Sequence, residues 1–178
     1  MHILTRTRTW LTQAVAVALL ATAALLPQVS HAQAFSDYLE NKIVDWLFRG
    51  QAYSPPTPLY VGLATGACAD SGLTGEVSGN NYSRASVASS LANWAGTQGA
   101  GTTTASSGSG AGGGVTSNNN AITFAVPSGT WGTVATWGLF DAAAAGNLLL
   151  CASLTASKVI NSGDTVSFSA GSLTVTVQ

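Results

Sequence analysis

TWGTVATWGLFD (residues 130–141), GNLLLCASL (146–154) and KVINSGDTVSFSAGSLTVTVQ (158–178) are the stretch whose reading decides the fold. The last segment alternates. Val166 and Phe168 point one way and Thr165 and Ser167 the other; Leu173, Val175 and Val177 oppose Thr174 and Thr176. A strand turns each successive side chain to the opposite face, so this pattern suits a sheet with one buried and one wet side. Asn161-Ser162-Gly163-Asp164 and Ala170-Gly171-Ser172 supply turns, because Gly tolerates positive φ and Asn and Asp bond their own backbone. DAAAAGN (141–147) separates two apolar runs and closes a further hairpin. The reading predicts a compact antiparallel module whose apolar face is covered by strands from the earlier chain.

Working outward, Ala121-Ile122-Thr123-Phe124-Ala125-Val126 reads as a strand turned by Pro127-Ser128-Gly129. Before it, residues 96–120 are Gly, Ser, Thr, Ala and Asn, with Val115 almost the only apolar anchor. Such a segment buries too little to offset its ordering entropy and predicts a long mobile hairpin loop, read first as a spacer, with an exposed tip that touches a partner as the alternative. Residues 59–65 and 80–87 read as strands, the first starting beyond the rigid Pro55, Pro56 and Pro58. Tyr82 and Arg84 share a face by the period of two and predict a surface ladder.

Residues 35–50 are the convincing helix. Ser36 is placed to cap it, with Asp37 and Glu40 in the positive first turn, Asp45 and Arg49 spaced as an i,i+4 pair and Gly50 as the C-terminal cap. Leu39, Ile43, Trp46 and Leu47 make an apolar stripe. It packs on the sheet in the first reading and docks on a neighbouring subunit in the sharper one. The fold class is therefore all-β, an antiparallel β-sandwich or partly open barrel at 51–178, with one N-terminal amphipathic helix.

Arg6 and Arg8 precede an apolar run over residues 14–26 that Pro27 breaks, and small residues follow at Ala32 and Ala34. This is the order of a secretory signal peptide, assigned to residues 1–34 with cleavage after Ala34 and a second option after Ala32. The run is shorter than the roughly 20 residues of a spanning helix, so no membrane span is expected after cleavage. An uncleaved anchor is the rival. The implied location is periplasm, cell surface or outside the cell. Cys68 and Cys151 in an oxidising compartment read first as a disulfide, with two unpaired thiols as the alternative.

Charged residues are 7% of the chain and the formal net charge is −1, which offers no basic field for nucleic acid. Both histidines, His2 and His31, lie in the leader, so the remaining chain has no base poised for a hydrolase triad. Its seven acids are scattered, and no metal-ligand or cofactor spacing appears. Glu76 with an Asp partner is the remaining carboxylate option for glycoside cleavage. Trp94, Trp131 and Trp137 either fill the core or a subunit seam, or stack exposed on sugar rings as a carbohydrate-binding module would. With Leu39, Ile43 and Trp46 they form the expected contact surface, for a second copy of the chain, other surface proteins or a cell-surface glycan.

The ordered set FSDYLENK (35–42), PLYVGL (58–63), EVSG (76–79), YSR (82–84), NW (93–94), AITF (121–124), WGTV (131–134), GLFDA (138–142) and INSGDT (160–165) resembles small tail-fibre-type proteins of tailed bacteriophages and prophages. The resemblance covers residues 35–178. It implies a non-enzymatic virion component, a homo-oligomer or a partner of other tail proteins, with no catalytic residues to carry over. Two features depart from the family: residues 96–120 exceed its corresponding loop, and its members begin near the equivalent of Phe35 without a leader. A leader implies a phage-derived module redeployed at the cell surface or periplasm; a misassigned start is the other reading.

Overall fold

The structure, a computed structural model, describes residues 34–106 and 114–177. Residues 1–33, on which nearly all of the expected signal peptide falls, and the middle of the low-complexity segment lie outside the described residues. Five antiparallel strands form the main sheet. In chain order they are β1 (Ala34–Phe35), β2 (Leu59–Ala64), β5 (Ala85–Val87), β8 (Gly132–Phe140) and β9 (Leu148–Ile160). They lie in the order β1-β9-β8-β2-β5. Three short pairs complete the set: β3 (Cys68–Ala69) with β4 (Gly72–Leu73), β7 (Ile122–Thr123) with β10 (Ser167–Phe168), and β6 (Val115–Ser117) with β11 (Thr174–Thr176). The architecture is all-β with one helix, and the main sheet ends at β1 and β5 without closing into a barrel.

The β8–β9 hairpin is local in origin. Asn147 donates from its backbone N–H to Asp141 Oδ1 at 2.6 Å and from Nδ2 to Oδ2 at 2.7 Å. Gly146 takes the left-handed φ of 68° that the tight return demands. The hairpin then sets the register of the core: Leu139 faces Leu150 on one side and Val61 on the other, and Trp137 faces Ala152 and Leu63. Against this face pack Ile122, Phe124, Leu173 and Val175, all buried.

The last two strands do not join that hairpin directly. β10 reaches back to β7 and β11 to β6. Both outer edges of the hairpin are already taken, β9 by β1 and β8 by β2. Leu173 and Val175 are buried as the alternation predicts, whereas Val177 is exposed.

Two expectations are corrected. Residues 80–87 are not one strand: Gly79, Asn80 and Asn81 all have positive φ, and pairing with β2 starts at Ala85. The two Asn side chains hold that turn by donating to the carbonyls of Thr130 and Val126, each at 2.9 Å. Residues 96–120 are not one long loop, because β6 falls inside them and Asn118 is 1% exposed. Asn118 Nδ2 donates to the carbonyls of Asn120 and Ser169, and its Oδ1 accepts from the Leu173 N–H at 2.9 Å. Polar satisfaction, rather than apolar burial, builds this part of the segment into the fold.

Helix α1 (Asp37–Arg49) begins where its caps place it. Ser36 Oγ accepts from the Leu39 N–H at 3.2 Å and donates to the Leu148 carbonyl, which ties the helix entry to β9. Gly50, at φ 66°, turns its N–H onto the Asp45 carbonyl. On the sheet, Cys68 and Cys151 are bonded, with Cα atoms 5.7 Å apart, so the β3–β4 pair is fastened to β9. Leu73 then lies over Gly138, where an added Cβ would come within 2.9 Å of it.

Candidate assembly surface

Helix α1 contains no buried residue. Its first half leans on the body, with Tyr38 and Leu39 packed against the core cluster and Ile43 half-buried. Its second half does not. Val44 is 46% exposed, Trp46 59%, Leu47 60% and Phe48 77%. Four of the eight exposed large apolar residues among the described residues therefore crowd into five positions. At 100° per residue these four side chains spread over about 200° of the helix, wider than a single stripe, and Asp45 and Arg49 occupy the remaining face. An exposed apolar face of that breadth is suited to packing against another surface.

The tryptophans divide. Trp131 and Trp137 are each 5% exposed. Trp131 donates from Nε1 to the Asn80 carbonyl at 3.0 Å and meets Tyr82 edge-on at 5.2 Å; Trp137 meets Phe168 at 6.4 Å. Neither ring offers a face to a sugar. Trp94 is half-buried at the mouth of a cleft of about 510 Å³, which it lines with Leu59, Leu91, Leu139, Leu150 and Val175. Its indole N–H is buried without an acceptor. The structure thus brings Cys68 and Cys151 together, exposes Trp46, and does not gather Trp94, Trp131 and Trp137 on one surface. Phe48 and Val44 were missed because the stripe template selects one helix face. The run Val44-Asp45-Trp46-Leu47-Phe48 carried the signal, being apolar at four of five positions.

Tyr82 and Arg84 form no surface ladder. The Arg84 side chain is 6% exposed and grips Glu76 with both prongs, Nε to Oε1 at 2.6 Å and Nη2 to Oε2 at 2.7 Å. Its Nη1 donates to the carbonyls of Ala142 and Ala145, and its guanidinium lies 3.4 Å from the centre of the Phe140 ring. Tyr82 OH donates to Glu76 Oε1 at 3.2 Å and accepts from the Leu63 N–H at 2.9 Å. Both oxygens of the one carboxylate singled out for glycoside cleavage are thereby held in a clamp on the β8–β9 turn. Among the described residues no cluster of His, Cys, Asp or Glu is arranged to hold a metal, and no helix is long and apolar enough to cross a membrane.

Burial, with the Glu76 carboxylate adding to it, pushes the Tyr82 phenol well above its ordinary 10.0. Below pH about 10 the phenol is neutral folded and unfolded alike, so its contribution is intact there. Above it the unfolded chain ionises first, and stability falls with each further step toward the raised folded value. Alkaline denaturation should steepen by up to about 1.4 kcal/mol per pH unit beyond pH 10 from this residue. Urea midpoints measured from pH 8 to 11.5 should show that limb, and Tyr82→Phe should flatten it while lowering stability at pH 8.

A family model described as Podophage GP4 fiber I protein gp80 matches residues 34–176, from the first residue of β1 to the last of β11. No curated protein matches the chain.

Proposed function

The chain belongs to the family of the podophage GP4 fiber I protein gp80, and on that footing we propose that it is a non-enzymatic structural subunit of a phage fibre, assembled through the exposed end of α1. The observation that carries this reading is the broad exposed face of Val44, Trp46, Leu47 and Phe48 on a helix otherwise capped and anchored at its start. Covering the two aromatic side chains alone would remove roughly 250 Å² of apolar surface from water, worth about 6 kcal/mol before entropic costs. Few charges oppose such contact, since only 7% of residues are charged.

The N-terminal segment, residues 1–34 or 1–32 according to the cut, acts in this reading as an export leader. The bonded Cys68–Cys151 pair supports passage through an oxidising compartment. Cleavage after Ala32 suits the fold better than cleavage after Ala34, because Ala34 pairs with Cys151 in β1 and its loss would halve that strand. Sequencing the N-terminus of the exported chain distinguishes the two.

The assembly test is a size measurement. Light scattering on the purified chain should show an oligomer. Trp46→Ser with Phe48→Ser should give a monomer whose unfolding midpoint is nearly unchanged, since exposed positions usually move stability within about 0.5 kcal/mol. An oligomer unaffected by both changes would remove α1 from assembly.

A further inference from the structure

We infer that Gln33 becomes the first residue of the exported chain and closes on itself as a pyroglutamate cap. This rests on the export-leader reading above and adds a covalent modification that follows from where the cut falls. Ser30-His31-Ala32 and Ala32-Gln33-Ala34 both carry small residues at the −3 and −1 positions, so the residue pattern allows a cut after Ala32 or after Ala34. β1 separates the two. Ala34 pairs with Cys151 and Phe35 with Leu150, and the Phe35 side chain packs against the core cluster. A cut after Ala34 would remove the first of these pairs and leave an ammonium on Phe35, beside Leu150 and Cys151, which are 5% and 0% exposed. Charge is costly against such a surface. A cut after Ala32 keeps both pairs and places the new amine on Gln33.

Gln is the residue whose own side chain can then consume that amine. In its neutral form the Gln33 α-amine attacks Cδ of its own carboxamide. The new N–Cδ bond closes a lactam, the old Cδ–Nε2 bond breaks, and the amide nitrogen leaves as ammonia with the amine's proton. Nothing is oxidised or reduced, and no co-reactant is needed. An α-amine has an ordinary pKa of about 7.7–8.0, so part of it is neutral near pH 7 and closure quickens as pH rises through that range. The product carries no terminal charge, while the amide that joins it to Ala34 is untouched. The strand that leads into Ser36 and α1 thus starts from a neutral group. An exported subunit capped in this way offers no free α-amine to an aminopeptidase.

The test is the intact mass of the full chain recovered from the exported fraction of a bacterial host, together with N-terminal sequencing. The expected mass is that of residues 33–178 less one ammonia. Sequencing should be blocked until the unfolded chain is treated with pyroglutamyl aminopeptidase, and should then read from Ala34. Gln33→Ser should keep the cut and give a chain of full mass that sequences without treatment. Unaltered chain that starts at Gln33 with full mass and a free amine overturns the lactam and leaves the leader and the cut standing. A start at Phe35 overturns the lactam and the cut after Ala32, with the leader still standing. A chain that keeps its residues from Met1 onward overturns the leader reading, and the lactam falls with it.

Discussion

Replacing Cys68 and Cys151 together by alanine should lower the unfolding free energy by roughly 4 kcal/mol. The two residues are 83 positions apart, and the loop they close contains β4 to β8 and the start of β9. Untying it enlarges the unfolded ensemble by the chain-entropy account, and the β3–β4 pair loses its covalent hold on β9. Against the 5–15 kcal/mol typical of a whole domain this is a large fraction. Guanidinium denaturation should show the midpoint falling, and the unaltered chain treated with reductant should follow the same curve. A loss below about 1 kcal/mol would mean that strand pairing alone fixes this side of the sheet.

Arg84→Met should cost about 3 kcal/mol, the lower end for breaking a buried pair, because the Glu76 side chain retains 28% exposure and some solvent screening. The substitution leaves the carboxylate without its bidentate partner and the carbonyls of Ala142 and Ala145 without a donor. Arg84→Lys should recover only part, since an ammonium cannot span Glu76 and the turn together. Adding Glu76→Gln to Arg84→Met should restore some stability, a coupling that a double-mutant cycle reads directly. Simple additivity of the two losses would show that the clamp does not act as a unit.

What was legible in the sequence was local. Ser36, Gly50 and the Asp45–Arg49 spacing define α1 because capping and i,i+4 geometry span only a few residues. Asp141 and Asn147 define the β8–β9 return for the same reason. The partners of β10 and β11 were not legible, because alternation at Val166–Phe168 and Leu173–Val175 gives a face to bury and no address for the covering strand. The place of Asn118 was hidden because strand patterns are sought in apolar residues, and its role comes from amide hydrogen bonds to distant backbone. Glu76 and Arg84 meet across a turn with three successive left-handed residues, where period-two counting fails. Of the candidate surface, the Trp46 side of α1 could be read, whereas the Trp94 cleft exists only once two layers have packed.

The described residues hold two ion pairs, the clamped Glu76–Arg84 and a solvent-facing Asp45–Arg49. Dissolved ions screen the second and barely reach the first. A particle built from such subunits should pass from a salty lysate into fresh water without loosening. Chilling is the harsher change, since apolar attraction weakens as water cools.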